Sequence, residues 1–545
     1  MNPFAWVLGM ASLVASANRP HVLLVCVDDL KPALGCFGDK LAITPNIDAL
    51  AARGVRFEAA YCNQAVCSPS RNSLLVGKRP QTLGIYDLAT NFRKAAPDAV
   101  TLPQRFKAAG YRTEAMGKVF HVGHGNHEDA ASWSVPHFQA KTVGYALPEN
   151  RLSQTREGAL FENMNPKDMP KGPAWENADV PDDAYGDGVI AREAVARLKA
   201  AAARPDQPFL MAVGFLKPHL PFCAPRKYWN MHDPAKFQLA PVRVPPEGAP
   251  SWAPQFGGEL RNYKDMPAKD AIAESVQRKL IHGYYAAASY MDAQLGKVLA
   301  TLRETGLEDK TIVVLWGDHG WHLGDHGMWC KHTNYEQATR IPLIVAAPGI
   351  TRPAATKALV ETVDIYPTLC ELAGIGAPPG LDGSSFAKVL ADPAAKARES
   401  VIHVYPRGQR LGRAIRTETH RLVEWKPVGA PSGEATYELY DYANDPLETR
   451  DIAGNDKAVL NRLKAMLAAH PEPRAQVRSA AGNPIDRAEL FKRKDANNDG
   501  KLTRAEFLAN QPDPDKAPAR FIQFDSDKDG VLSREEFIHM GRKPG

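Results

Sequence analysis

Uninterrupted apolar runs and amphipathic stretches alternate along residues 19–399. Residues 21–27 (HVLLVCV) and 311–316 (TIVVLW) are apolar throughout and rich in β-branched side chains, which is typical of strands buried on both faces of a parallel sheet. Further strands are predicted at residues 111–116, 208–215 and 343–346. Helices are predicted at residues 44–53, 101–109, 186–203, 271–304 and 364–373. This alternation predicts an α/β domain over residues 18–399, with a mostly parallel sheet between two layers of helices.

The pattern changes after residue 400. Short strand-like segments at residues 401–405, 413–416, 421–425 and 436–440 predict a small antiparallel sheet, followed by a helix at 456–469. Residues 400–470 are therefore predicted to form a smaller α+β subdomain. Residues 471–484 have the proline-rich composition of a linker, and residues 485–545 are predicted to form a separate unit.

Two segments of that last unit match the twelve-residue EF-hand loop, in which oxygen ligands occupy fixed positions and glycine makes the central turn. The predicted ligands of the first loop are Asp495, Asn497, Asp499, Lys501 (through its carbonyl), Thr503 and Glu506. Those of the second loop are Asp525, Asp527, Asp529, Val531 (through its carbonyl), Ser533 and Glu536. Leu502 and Leu532 are placed to pair the two loops. The sequence therefore predicts a helical EF-hand pair with calcium in both loops.

The first residues have the pattern of a secretory signal. An apolar run at residues 4–14 precedes Ala-Ser-Ala at 15–17, so residues 1–17 are predicted to be a signal peptide that directs the chain to the periplasm or outside the cell. No later segment is apolar for long enough to predict a membrane span.

Composition restricts the partners. With 44% hydrophobic and 24% charged residues, the 545-residue chain has the make-up of a globular protein. Its net charge of +5 suits an anionic substrate, and no basic run indicates a nucleic acid. Seven cysteines in so long a chain do not predict a disulfide scaffold.

Cys67 opens a short predicted helix that Gly77 would end. Ser68 is predicted to cap this helix, with Pro69 in its first turn. A cysteine at a helix start near Arg71 would have electropositive surroundings, which favour the thiolate and attract anions. The alternative is a buried structural cysteine.

Side chains that suit metal or anion chemistry follow several predicted strands, where open α/β sheets place their ligands. These residues are Asp28, Asp29, Lys118, His121, His219, Asp318, His319 and Lys331. One strand that ends in such residues is ordinary, whereas two parallel-type strands that both end in them are much less so.

The segment Cys-x-Pro-x-Arg at 67–71 resembles the signature of the type I sulfatases, in which this cysteine is oxidised after translation to formylglycine. The resemblance covers about residues 19–470, which are similar to the iduronate-2-sulfatase branch of the family. It rests on five strings in the family's order: VCVDDL (25–30), CSPSR (67–71), GKVFH (117–121), KPHLPF (217–222) and GDHGWHLGDHGMWCKH (317–332).

The resemblance implies an alkaline-phosphatase-like fold and assigns roles to these residues. Asp28, Asp29, Asp318 and His319 would hold a divalent cation beside residue 67, and calcium is favoured over zinc or magnesium because three carboxylates suit a hard ion. Arg71 and His121 would orient the formylglycine hydrate. Lys118 and Lys331 would bind sulfate oxygens, and His219 would protonate the leaving alcohol.

The resemblance also implies a reaction and its partners. One hydroxyl of the hydrate would attack sulfur, and the second would then expel sulfate. The substrate would be a sulfated glycan or uronic acid, and a formylglycine-generating system would mature Cys67. Two alternatives stay open: a phosphatase or phosphonate monoester hydrolase on the same scaffold, and a non-catalytic calcium-binding protein whose Cys67 is unmodified.

Overall fold

A computed structural model describes residues 19–140, 144–150, 171–255 and 258–477, and in the C-terminal part residues 490–491, 494–495, 497, 499–508 and 517–539. The predicted signal peptide and residues 478–484 of the predicted linker lie outside these ranges. The chain divides into two compact units, Met1–Val477 and Arg478–Gly545.

The first unit is built on an eight-stranded sheet. Its strands are β1 (His21–Val27), β2 (Val55–Tyr61), β3 (Arg112–Gly117), β5 (Phe209–Phe215), β7 (Thr311–Gly317), β10 (Arg340–Ala346), β11 (Ala354–Thr356) and β12 (Val360–Glu361). The order across the sheet is β11–β2–β10–β7–β1–β5–β3, with β12 also paired to β2. Pairing is parallel except at β10, which runs antiparallel to both of its neighbours. The predicted α/β fold with a mostly parallel sheet is confirmed.

Strand β1 shows why the apolar runs are continuous. All seven of its residues are buried, and alternate side chains enter two different cores. Val22, Leu24 and Cys26 pack in the core on one face, whereas Leu23 and Val25 pack in the core on the other. Both faces are covered by helices, so neither face of the strand needs polar side chains.

Helices and short strands connect the sheet. The helices are α1 (Pro45–Ala51), α2 (Cys67–Val76), α3 (Pro80–Leu83), α4 (Phe92–Ala95), α5 (Leu102–Ala108), α6 (Gly186–Ala202), α7 (Arg226–Asn230), α8 (Glu274–Glu304), α9 (Glu336–Thr339), α10 (Ile365–Leu372) and α11 (Ala387–Ala391). The short strands are β4 (Trp175–Glu176), β6 (Phe222–Cys223), β8 (His322–Leu323) and β9 (Trp329–Cys330). Helix α5 starts at a capping box between Thr101 and Gln104, and helix α2 ends at Gly77, whose φ of 67° is the left-handed conformation that glycine adopts freely.

A second, antiparallel sheet follows in the same unit. Its strands pair in the order β13 (Ser400–Arg407), β14 (Arg410–Thr417), β15 (His420–Pro427) and β16 (Thr436–Asp441), and helix α12 (Lys457–Ala468) covers one face. The elements agree with the small α+β layer predicted from the sequence. The segment predicted to be a linker differs, because residues 474–477 bond to the chain at residues 81–90.

The second unit contains strands β17 (Lys501–Thr503) and β18 (Val531–Ser533) with helices α13 (Arg504–Leu508), α14 (Ala517–Phe524) and α15 (Arg534–His539). Leu502 pairs with Leu532 across the two strands, as the sequence predicts. Five phenylalanines and both of these leucines lie in one buried cluster of this unit.

Within the described ranges, none of the helices has the length and apolar character needed to cross a membrane. The cysteines are unpaired, including buried Cys26.

Candidate active site

Two neighbouring strand ends bring the predicted acids together. Val27 of β1 pairs with Gly317 of β7, so the residues that follow, Asp28 and Asp318, leave the same edge of the sheet side by side. Asp29 turns with a φ of 59°, and its backbone N–H donates to Asp318 Oδ1 over 3.0 Å. The three carboxylates are completely buried. This is the ligand-binding edge expected of an open α/β sheet.

Cys67 lies at the first position of helix α2, beside these acids. Its Sγ is 3.5 Å from Asp28 Oδ1, 3.4 Å from His319 Nε2 and 3.7 Å from Lys118 Nζ. The predicted cap is wrong: the cap position is Val66, which is extended, and Ser68 already lies inside the helix. Because α2 is buried along its whole length, the cysteine side chain is enclosed and faces the acids.

Arg71 joins helix α2 to both strand ends. Its guanidinium donates to Asp318 Oδ2 through Nε (3.1 Å) and to Asp28 Oδ1 through Nη2 (3.1 Å). The same group donates to the backbone carbonyl of Val119 (3.2 Å) and to that of Lys118. A fully buried guanidinium with these partners fixes the carboxylates and the start of the helix relative to one another.

The predicted sulfate-binding and acid residues also reach this group. Lys118 Nζ donates to Asp28 Oδ2, and Lys331 Nζ lies 2.9 and 3.0 Å from the two oxygens of Asp29. His219 Nε2 is 3.8 Å from Asp29 Oδ2. His121 is placed less directly: its Nε2 lies 3.1 Å from Nδ1 of His124, and its contact with residue 67 stays a prediction.

The donor set fits a divalent cation. Ligand atoms of Asp28, Cys67, Asp318 and His319 lie within 4.8 Å of one another, and a second such group contains Asp29. Nδ1 of His319 faces the carbonyl of Gly320 at 3.1 Å, so its proton belongs there and Nε2 keeps its lone pair toward the acids. Burial lowers the pKa of His319 to about 4, which keeps the imidazole neutral and able to bind a metal.

The electrostatics of the site contradict one expectation. Burial, and then the charge of Asp28, raises the pKa of the Cys67 thiol well above its usual value, so the thiolate is disfavoured. The prediction of a favoured thiolate is wrong first because the thiol is buried, and then because Asp28, which pairs with Arg71, lies beside it. Burial alone would raise the pKa of Asp28, but Lys118 and the other neighbouring cations outweigh it and hold this pKa well below its usual range. An unmodified Cys67 is therefore a poor nucleophile.

Three residues at the site lie outside every motif. Glu259 is buried, with Oε1 3.4 Å from His219 Nε2 and Oε2 3.2 Å from Lys331 Nζ. Tyr284 of α8 donates its hydroxyl to the Asp29 carbonyl (2.8 Å), and Asp187 accepts the amide of Leu216 (2.7 Å) just before the His219 segment. No sequence signal marks Glu259, whereas Tyr284 shows only the periodicity of a packed helix face.

Both EF-hand loops have ligand side chains turned inward. In the first, Gly500 N donates to Asp495 Oδ2 (2.9 Å), and Thr503 N donates to Glu506 Oε2 (2.9 Å). In the second, ligand atoms of Asp525, Asp527 and Glu536 lie within 4.8 Å of one another. Other predicted ligands bond along the loops, among them Asn497, Asp499, Lys501, Asp529, Val531 and Ser533. The arrangement suits calcium in each loop.

Comparison with known proteins gives consistent matches. The family model described as "Sulfatase" matches residues 20–375, "N-sulphoglucosamine sulphohydrolase, C-terminal" matches 324–472, and "EF hand" matches 487–509 and 519–540. Iduronate 2-sulfatase of Mus musculus is 37% identical over 407 residues, which cover 68% of this chain and 72% of that protein.

Two solved structures share the fold. One is BT4656 in complex with its substrate D-glucosamine-2-N,6-O-disulfate, with 22% identity, a TM-score of 0.64 and coverage of 83% of this chain and 96% of that one. The other is the phosphonate monoester hydrolase of Silicibacter pomeroyi, with 22% identity, a TM-score of 0.66 and coverage of 83% and 95%.

Proposed function

This chain belongs to the sulfatase family and is a sulfuric ester hydrolase, and we propose that it acts through a formylglycine made from Cys67 beside a divalent cation. The observation that carries the proposal is the position of Cys67, whose Sγ lies within 3.7 Å of Asp28, His319 and Lys118 at the meeting of two strand ends. Burial raises the pKa of the Cys67 thiol well above its usual value, and we propose that oxidation to formylglycine supplies the reactive group at this position.

The cation and the formylglycine, when present, supply charge neutralisation and a nucleophilic hydroxyl. We assign the cation to Asp28, Asp29, Asp318 and His319, with calcium favoured because most of the donors are carboxylate oxygens. The remaining roles, which are positioning, anion binding and proton transfer, belong to the side chains of the site. Arg71 keeps two of the acids in place, and its rigid set of contacts keeps residue 67 directed at them.

Lysines and a histidine complete the assignment. Once a cation takes the carboxylates, the Nζ atoms of Lys118 and Lys331 are available for sulfate oxygens. His219 directs Nδ1 at the Leu220 carbonyl and holds Nε2 3.4 Å from Glu259 Oε1, and we assign Nε2 of the protonated ring to proton transfer to the leaving alcohol. His121 is assigned to orient the hydrate.

The charge balance of the site favours a sulfate ester over a phosphate ester. Four buried carboxylates, including Glu259, face the cations of Arg71, Lys118 and Lys331. Leaving out the proton that His219 passes to the alcohol, a divalent ion would give this group one surplus positive charge, which matches the single negative charge of a sulfate monoester. A phosphate monoester is largely dianionic at neutral pH, so its charge would exceed the surplus positive charge of the site.

We therefore expect aryl sulfate hydrolysis to exceed aryl phosphate hydrolysis by at least about tenfold in kcat/KM, equivalent to roughly 1.4 kcal/mol of transition-state stabilisation. An aryl phosphonate monoester carries the same single charge as a sulfate monoester, so its rate tests the family assignment and not the charge balance. The measurement compares p-nitrophenyl sulfate, phosphate and phenylphosphonate with the same enzyme preparation. A dominant phosphate or phosphonate rate would assign the chain to the phosphonate hydrolase branch of the fold.

The natural substrate class follows from the relatives. The matched proteins include enzymes named for iduronate sulfate and for sulfated glucosamine, and we propose a sulfated glycan or uronic acid as the substrate of this chain. Export to the periplasm or beyond, and maturation by a formylglycine-generating system, belong to the same proposal.

We assign calcium to the EF-hand pair as well, with no part in the reaction. Glu506 and Glu536 hold the last position of each loop, so Glu506→Gln with Glu536→Gln should weaken calcium binding to these loops by at least about tenfold. Hydrolysis of p-nitrophenyl sulfate should stay within about twofold of the parent chain, because the loops belong to the second compact unit and the assigned catalytic residues to the first. Titration with a calcium-sensitive dye and a parallel rate assay measure both; a proportional loss of turnover would show that the loops support the site.

A further inference from the structure

The C-terminal end of the first unit reaches the segment that carries Cys67 through a chain of hydrogen bonds. Residues 474–477, here called the strap, lie along residues 81–90, here called the strapped loop. Arg474 N donates to Gln81 O (2.9 Å), and Val477 N donates to Gly84 O (2.7 Å). Tyr86 contributes two more bonds, with its N–H on Gln476 Oε1 (2.9 Å) and its hydroxyl on Arg474 O (2.7 Å).

Gly84 shows how closely the strap is seated. Its φ of 67° is left-handed, and a Cβ built there would lie 2.4 Å from the carbonyl oxygen of Ala475. Real Cβ atoms do not approach a backbone oxygen so closely, so the strap depends on glycine at this position. The contact is with backbone, which cannot rotate away as a long side chain can.

The strapped loop in turn holds both flanks of Cys67. On the N-terminal side, Gln64 Nε2 donates to the Tyr86 carbonyl over 2.8 Å. On the C-terminal side, Asn126 Nδ2 lies 3.2 Å from the Leu88 carbonyl and 3.3 Å from Ser68 Oγ. Gln64 and Ser68 are buried, and each is within three residues of Cys67. A shift of the strapped loop therefore moves the start of helix α2.

We propose that the strap is a positioning segment of the active site, which sets the place of residue 67 through the strapped loop and its contacts with Gln64 and Asn126. The effect on turnover rests on the proposed sulfatase function, but the coupling of the strap to the Cys67 segment does not. Misplacement of a reacting group by about 1 Å can cost on the order of 10²-fold in rate, which is large enough to measure.

The test compares two glycines in the full chain. Gly84→Ala adds backbone strain and the collision with Ala475, whereas Gly110→Ala adds the same kind of strain at φ 89° with no atom within 4 Å of the new Cβ. We expect Gly84→Ala to lower kcat for p-nitrophenyl sulfate by at least about tenfold with KM changed less than about threefold, and Gly110→Ala to leave kcat within about twofold.

Hydrogen–deuterium exchange of the peptide covering residues 62–77 gives a readout that does not need activity. It should speed up in Gly84→Ala and stay at the parent rate in Gly110→Ala. Should Gly84→Ala fail to fold, Gln476→Ala takes its place. Gln476→Glu is its control, because it retains the acceptor for Tyr86 N–H and loses only the donor to Val477 O and Thr90 Oγ1.

The proposal would be overturned if the two glycine substitutions had equal effects on kcat. It would also be overturned if the strap were displaced while the exchange rate of residues 62–77 stayed unchanged. Loss of protection with Gln476→Ala and its recovery with Gln476→Glu would support it. If the parent chain hydrolysed no sulfate ester at all, the proposed function would fail, and the exchange comparison would still decide the role of the strap.

Discussion

Cys67→Ala is expected to abolish sulfate ester hydrolysis, with turnover falling by roughly 10⁴-fold or more, as it does when other hydrolases lose a covalent nucleophile. The reason is structural as well as chemical. Residue 67 is enclosed among Asp28, His319 and Lys118, so no other side chain can take its place against the bound sulfate. The measurement is the steady-state rate with p-nitrophenyl sulfate.

Cys67→Ser makes the same prediction more specific. A serine hydroxyl can attack sulfur and release the alcohol, which leaves a sulfate ester on the serine. With only one hydroxyl, the residue cannot then expel sulfate in the way a hydrated aldehyde can. We therefore expect at most a single turnover, and a gain in mass of one SO₃ unit on the peptide that contains residue 67.

A matched control and the parent peptide complete this test. Cys36→Ala removes a half-buried thiol whose charged neighbours are Asp48 and Arg56, not the acids of the active site, and should keep the parent rate. The parent peptide should carry formylglycine, which is lighter than cysteine. Full activity in Cys67→Ala, or an active parent chain with an intact thiol at 67, would contradict the mechanism.

The sequence predicted the elements of the site better than their contacts. The run at residues 21–27 predicted β1, and the run at 311–316 predicted β7, because a strand buried on both faces must be apolar at every position. That Asp28 and Asp318 become neighbours follows from the pairing of Val27 with Gly317. The composition of a strand does not predict which strands lie next to it in the sheet. Only the family resemblance or the structure could therefore show that the two acids meet.

The misses share a physical cause, which is compensation by residues distant in sequence. The thiolate prediction considered Arg71 alone, whereas the acids of two other segments cancel its charge. Glu259 sits in a loop with no periodicity, yet its carboxylate lies against Lys331. The predicted linker at 471–484 has a loop's composition, but residues 474–477 dock through backbone hydrogen bonds, the Tyr86 and Gln476 side chains and a facing glycine, and composition does not record these contacts.

Asp318→Asn is expected to remove both activity and the active-site metal. The native carboxylate accepts the N–H groups of Asp29 and His319 through Oδ1, each over 3.0 Å, and Arg71 Nε through Oδ2 over 3.1 Å. An asparagine oxygen can keep the first two bonds, but its NH₂ group would then face the guanidinium, donor against donor. The site also loses one negative charge that would bind a divalent cation.

We expect turnover to fall by at least about 10³-fold and one bound divalent ion to be lost. Removing a carboxylate ligand weakens metal binding, and the neighbouring acids that the metal would hold in place lose their common partner. The Glu506→Gln and Glu536→Gln background removes the calcium of the EF-hand loops from the count, so metal analysis after dialysis reports the active site alone.

Asp292→Asn is the matched control. Asp292 is an equally buried aspartate that accepts the Ile47 amide over 2.8 Å outside the predicted metal ligands, and its replacement should leave metal content unchanged. If Asp318→Asn kept its ion and its rate, the shared cation at the two strand ends would have to be abandoned, and with it the assignment of Asp28, Asp29 and His319 as ligands.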